Sequence, residues 1–236
     1  MGLLKKNFLV LGYVRTGTHR VKEFIRYNTS KKNKYKNTKK ISDFLTAQDD
    51  IFFKKRKFYI FKPYLDKKFK IIEKKILFKK KILSTHYHYN QIVSDFKNHN
   101  LILTIRDPVS TIASMVLFVT KKETMELNRE YKIDNFLDLI SKKKIINKYI
   151  KGYINFYKTL LEKKSAQYLK NFTIIDYKQN LTNKLNKHNF INFKVKILNM
   201  HATSRNKKKV KDLLKKNYNF SNAIKVYQLF KNYTHR

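Results

Sequence analysis

Between Asn7 and Arg20 the chain reads Asn-Phe-Leu-Val-Leu-Gly-Tyr-Val-Arg-Thr-Gly-Thr-His-Arg, and the polar residues gathered there are the types that bind anions. Arg15, Thr16, Thr18 and His19 are side-chain donors crowded around Gly17. An apolar run from Phe8 to Leu11 precedes them and suits a buried strand. Val21, Phe24 and Ile25 follow at helical spacing, with Asn28 placed to end the helix. A strand, a glycine turn and a helix start, in that order, form a phosphate cradle. Free N–H groups of the first helical turn point at the anion, and the helix dipole favours negative charge there. The same residues would also serve a plain strand-to-helix turn whose two glycines answer only to backbone geometry.

The interval from Gly12 to Gly17 matches the glycines of an ATP-binding Walker loop, Gly-x-x-x-x-Gly-Lys-[Ser/Thr]. Thr18 stands where the lysine belongs, and His19 where the magnesium-holding hydroxyl belongs. The loop points to a phosphate-like anion and away from ordinary Mg-ATP chemistry. A kinase-like phosphotransferase using ATP remains an alternative, favoured by the glycine spacing.

Two more strand ends carry polar groups. Lys81-Ile-Leu-Ser-Thr-His86 reads as a second core strand delivering His86 at its end, followed by a helix over Gln91 to Asn98. Leu101 to Ile105 is the clearest strand of the set. Arg106-Asp107-Pro108 then opens a helix running to about Val119, with Asp as N-cap and Pro at the first helical position. Arg106 there is either a solvent arginine beside a cap or a fork suited to phosphate. Ser114 lies nearly two turns into the same helix, so it meets the same group only if a ligand lies along that helix. His86 and His88 would share a strand face, as metal-binding pairs can, but no third ligand stands at suitable spacing, so no metal is expected.

These strand ends have to be held by a sheet. Ile145, Tyr149, Tyr153, Phe156, Leu160 and their neighbours keep helical spacing over several turns and predict a long amphipathic helix. Phe172 to Tyr177 predicts a fourth strand and Phe193 to Leu198 a fifth. Val210, Leu213 and Leu214 mark a late helix, and Ala223, Val226, Tyr227 and Phe230 the last. Alternating strands and helices argue for an α/β fold: three layers, a mostly parallel sheet of about five strands flanked by helices. In such sheets ligands bind at the carboxyl ends of the strands, where all the groups above sit.

Composition bounds the rest. The 236 residues suit one domain able to bury a full core, and the absence of cysteine excludes disulfides, thiolate metal sites and cysteine nucleophiles. The longest apolar run, Ile112 to Val119, is far too short to span a membrane, and the start of the chain lacks a signal-peptide or myristoylation pattern. The chain is therefore expected to be soluble and cytoplasmic. A formal charge of +39 invites a nonenzymatic reading as a basic nucleic-acid or polyanion binder. The lysines are spread along the whole chain, however, and accompany abundant Asn, Ile, Phe and Tyr, the bias of an AT-rich genome. Residues 30–40 are a lysine-rich loop expected to be mobile, and 41–80 alternate apolar with lysine pairs, as short helices on an acceptor side.

Taken together, the motifs resemble those of sulfotransferases that use 3′-phosphoadenosine 5′-phosphosulfate (PAPS), on a fold similar to that of P-loop NTPases. The family's 5′-phosphosulfate loop, Pro-[Lys/Arg]-Ser-Gly-Thr-Thr, is matched by Val14-Arg15-Thr16-Gly17-Thr18-His19. Its 3′-phosphate motif, Arg-[Asn/Asp]-Pro-x-x-x-x-x-Ser, is matched by Arg106-Asp107-Pro108 through Ser114. Ser84-Thr85-His86 resembles a Lys-Thr-His strand end whose His is the catalytic base. Asp176-Tyr177-Lys178 resembles a segment whose tyrosine lies by the adenine, and His201-Ala-Thr203-Ser204-Arg205 resembles the closing cofactor loop. The resemblance covers most of the chain as a single domain over 1–236. Val14 for proline, Ser84 for lysine, His19 for a hydroxyl residue and Lys178 for glutamate are departures. It implies metal-free in-line transfer of a sulfuryl group from PAPS to an acceptor hydroxyl or amine, on a carbohydrate or small molecule. His86 and Arg15 would be catalytic; Arg15, Thr16, Gly17, Thr18, His19, Arg106, Ser114, Tyr177, Thr203, Ser204 and Arg205 would bind the donor.

Overall fold

Near-continuous apolar runs at 8–11, 101–105 and 172–175 put side chains on both faces of a sheet, and both faces are covered. The computed structural model describes residues 7–30, 82–85, 99–126, 135–161, 169, 171–186 and 204–233. The strands are β1 (Asn7–Gly12), β2 (Ile82–Thr85), β3 (His99–Ile105) and β4 (Phe172–Asp176). They lie in the order β2-β1-β3-β4, all parallel, with Leu11 beside Thr85 and Leu103, and Ile105 beside Asp176. The fifth strand expected at 193–198 lies outside the described residues, as do the helix expected at 91–98 and the segments 31–81 and 127–134.

The helices are α1 (Thr18–Ser30), α2 (Pro108–Glu126), α3 (Asn135–Ser141), α4 (Lys143–Leu161), α5 (Leu181–Leu185), α6 (Ser204–Asn217) and α7 (Ser221–Tyr233). Leu11, Leu103, Ile105 and Ile174 face the larger core with α2, α3, α4, α6 and α7. Phe8, Val10, Ile102 and Ile175 face a smaller one with Val21, Phe24 and Ile25 of α1 and Leu181 and Leu185 of α5. The fold is thus an α/β parallel sheet flanked by helices. On α4, Ile146, Tyr149, Ile150, Tyr153, Phe156, Tyr157 and Leu160 are buried, the stripe that the spacing predicts.

Several boundaries move for local reasons. The predicted cap of α2 forms: Asp107 Oδ1 accepts from Ser110 N at 2.7 Å. The helix continues past Val119 to Glu126, where Lys121, Lys122, Glu123, Met125 and Glu126 are good helix formers but form no apolar stripe. Asn28 does not end α1; its amide donates to Phe24 O at 2.8 Å from inside the helix. Strand β4 stops one residue early because the Asp176 carboxylate accepts from Lys178 N at 3.0 Å, turning the chain. Ser204 and Arg205 form the first turn of α6 rather than a loop. No helix among the described residues is long and apolar enough to cross a membrane.

The strand order carries a consequence for function. β1 connects outward to β2 on one side, while β3 lies on its other side, so the direction of winding changes between β1 and β3. In open parallel sheets the crevice at that change, at the carboxyl ends of the strands, is where ligands sit. Gly12 and Ile105 end the two strands there.

Candidate active site

The loop leaving β1 is built by its own short residues. Tyr13 O accepts from Thr16 N at 3.2 Å and from Thr16 Oγ1 at 2.6 Å, closing a tight turn with Val14 and Arg15 at its centre. Arg15 has φ 68°, and it is the non-glycine with positive φ among the described residues. That conformation at the third turn position is the type II pattern, which usually takes Gly or Asn. An arginine there is strained by about 1–2 kcal/mol, and such strain persists when surrounding contacts hold it. Here Arg106 Nη1 donates to Arg15 O at 2.9 Å. Gly17 follows with φ 106°, open to glycine and costly to any other residue, and its carbonyl accepts the first bond of α1 from Val21 N at 3.0 Å.

The hydroxyls of the loop do not all face the crevice. Thr16 is 0 % exposed, and its Oγ1 also lies 2.9 Å from Thr104 Oγ1 of β3. Thr18 is buried as well. In this geometry Thr16 staples the loop to itself and to the next strand. Gly12 makes the staple fit, since a Cβ there would lie 2.1 Å from Thr104 Oγ1 and 2.7 Å from Thr16 Oγ1. His19 is exposed on the first turn of α1.

Arg106 emerges from β3 into the same place. It is 6 % exposed, and burial holds its guanidinium below the usual arginine range, partly offset by the attraction of Tyr177, Asp107 and Asp176. Two tyrosines of α4 fix the backbone that carries it: Tyr153 donates to Arg106 O at 2.8 Å and Tyr157 to Thr104 O at 2.8 Å. A third, Tyr149, accepts from Tyr13 OH at 3.0 Å through its carbonyl and so holds the start of the loop. Ser114, one helix face along, accepts from Arg15 Nε at 3.3 Å, and the Arg15 guanidinium lies 4.6 Å over the Phe118 ring. The two arginines and Ser114 are therefore one cluster.

Tyr177 joins the same cluster through its ring. Its ring stacks under the Arg106 guanidinium at 4.1 Å and packs on Gly17, where a Cβ would meet Tyr177 Cδ2 at 2.8 Å. Arg20 of α1 donates to Tyr177 O, and to Gln179 O at 3.3 Å, and lies 5.4 Å from the same ring. The tyrosine is a seat for arginine and glycine in this arrangement.

Two lysines complete the site. Lys207 of α6 is pushed down to about 8, first by burial and then by Arg106, Lys211 and Arg15. Lys211, one turn on, is lowered first by burial, with Asp107 opposing and Arg106, Lys178 and Lys215 adding to it. Neither was singled out in the sequence, where they merge into a lysine-rich helix. The available signal was their i, i+4 spacing beside the apolar stripe Val210 and Leu214. Half-buried cations that depress one another are relieved by a neighbouring negative charge.

His86, the neighbouring His88 and Thr203 lie outside the described residues; Thr85, just before His86, pairs with Leu11 at the end of β1. Among the described residues no group of His, Cys or acidic side chains is arranged to hold a metal. No curated protein and no solved structure matches the chain. A family model described as the sulfotransferase domain matches residues 5–222, which takes in the glycine loop, the Arg106 strand end and the Lys207 helix. With that match covering most of the chain, the protein belongs to the sulfotransferase domain family, whose chemistry is sulfuryl transfer.

Proposed function

We propose that the protein transfers the sulfuryl group of PAPS to an acceptor hydroxyl or amine, on a carbohydrate or small molecule. The observation that carries this reading is the buried Arg106 fork beside the glycine loop, surrounded by Arg15, Lys207 and Lys211. So much desolvated positive charge at the switch between β1 and β3 suits a ligand with two separate phosphate groups. Arg106 and Ser114 grip the 3′-phosphate, with Lys207 and Lys211 adding charge. Backbone N–H groups at Gly17 and Thr18 hold the 5′-phosphate, and His19 lies at the same helix start. Ser204 and Arg205 at the start of α6, with Thr203 before them, close over the nucleotide. The whole chain acts as one domain on a P-loop-like frame.

The donor supplies a sulfuryl group on a phosphate leaving group. The acceptor oxygen or nitrogen forms the new bond to sulfur as the bond from sulfur to the bridging oxygen breaks, releasing adenosine 3′,5′-bisphosphate. Arg15 turns from Ser114 to the charge that grows on the bridging oxygen, and the closed loop holds it in line. His86 takes the acceptor proton. These roles need no metal.

Thermal shift and calorimetric titration with adenosine 3′,5′-bisphosphate and ATP test the donor. Stabilisation by the bisphosphate well above that by ATP is expected, and Arg106→Ala should weaken the bisphosphate far more than ATP. Equal losses for both nucleotides would refute the 3′-phosphate assignment. His86→Ala should remove most turnover and leave bisphosphate binding intact; full activity would move the base elsewhere.

A further inference from the structure

The family match ends at residue 222, inside the first turn of α7, yet the helix continues to Tyr233 and reaches back to the site. Ala223, Val226 and Phe230 bury its apolar face, and the Phe230 ring meets Tyr157 at 5.3 Å. On the adjoining face Tyr227 OH donates to Asp176 Oδ2. Asp176 ends β4 and is 5 % exposed. Its other oxygen accepts from Lys178 N at 3.0 Å, its N–H donates to Gln179 Oε1 at 3.0 Å, and its carbonyl accepts from Gln179 N at 2.9 Å. The turn at 176–179 is thus wrapped around one buried carboxylate, and among the described residues the phenol is the long-range group that holds it.

What the turn presents is the Tyr177 ring, against Gly17 and under Arg106. Arg20 grips the outside of the same turn through two carbonyls. We infer that Tyr227 is a positioning residue of the anion site: through Asp176 it sets the turn that seats Arg106. This inference rests on the reading of Arg106 as an anion-binding group. Burial beside Asp176 pushes the phenol above its ordinary range, so it stays a donor at any working pH.

The alternative is that Tyr227 only anchors α7, and the test separates the two. Tyr227→Phe keeps the ring and removes the donor; Phe230→Leu disturbs the same helix without touching Asp176. Three quantities are measured on both variants and wild type: melting temperature, amide exchange at Lys178, and affinity for adenosine 3′,5′-bisphosphate. In Tyr227→Phe, exchange at Lys178 should quicken and affinity fall about tenfold, the loss of one hydrogen bond's worth of orientation. Phe230→Leu should lower the melting temperature at least as much and leave affinity within about twofold. Tyr227→Phe with affinity unchanged, in a protein whose wild type binds the bisphosphate, would overturn the inference, whatever its melting temperature or exchange. Should wild type not bind the bisphosphate, the donor assignment falls, and exchange at Lys178 still decides whether Tyr227 sets the turn.

Discussion

Replacing Gly17 by alanine perturbs the cradle at its tightest point, and the structure separates the cost into two parts. The first is backbone: at φ 106° an L side chain is strained by about 1–3 kcal/mol. The second is contact: the new Cβ would sit 2.8 Å from Tyr177 Cδ2 and 3.4 Å from Cε2. The ring cannot simply swing away, because Arg106 stacks on it at 4.1 Å and Arg20 holds its carbonyl. Overpacking of this kind costs about 1–3 kcal/mol. The sum, about 2–6 kcal/mol, is a large share of the stability of a domain this size. A double-mutant cycle with Tyr177→Ala isolates the parts. In that background Gly17→Ala should cost the backbone part alone, leaving a coupling of about 1–3 kcal/mol. Urea unfolding followed by circular dichroism gives all four stabilities. A Gly17→Ala cost below about 0.5 kcal/mol, or the same cost in both backgrounds, would refute the placement of the Tyr177 ring on the loop.

Three further outcomes follow from the same geometry. Tyr153→Phe leaves the buried Arg106 carbonyl without its 2.8 Å donor and should cost about 1–3 kcal/mol in urea unfolding, with weaker bisphosphate binding in titration. Asp107→Ala removes the cap bond to Ser110 N and should cost about 1 kcal/mol, read from the thermal transition; a neutral or stabilising effect would contradict the cap. Lys207 must be protonated to attract an anion, and it loses its proton above about 8, so bisphosphate affinity should fall by up to about tenfold per pH unit above that point. Lys207→Met should flatten this dependence. The sign for stability is opposite: between about 8 and 10.5 the unfolded lysine holds a proton that the folded one has lost, so stability rises with pH there. Calorimetry across that window, on wild type and Lys207→Met, checks both signs.

The sequence carried those parts of the fold and site whose causes are local. Asp107-Pro108 names a helix start because a side chain three residues from the amide it caps needs no other element. The stripe on α4 and the run Leu101–Ile105 are legible because period 3.6 and continuous apolarity are written along one segment. Gly17 with Arg15 and Arg106 with Ser114 could be paired as motifs, and the parallel sheet could be inferred from alternation. The boundaries at Asp176 and Asn28 were missed because one side-chain hydrogen bond decided each.

Other features were decided by tertiary structure alone. Thr16 could not be read as inward-facing, since its partner Thr104 is supplied by another strand. Tyr177 could not be read as the seat of Arg106, nor Tyr153 as the clamp on its carbonyl, because a ring's neighbours depend on how sheet and helices pack. Lys207 and Lys211 were hidden among many lysines until α6 brought them to Arg15 and Arg106. Tyr227 and Asp176 lie 51 positions apart, and no local pattern announces such a bond. Sequence determined which groups exist and which element each begins or ends; packing of those elements determined which groups gather at the ends of β1 and β3 and which only hold the others in place.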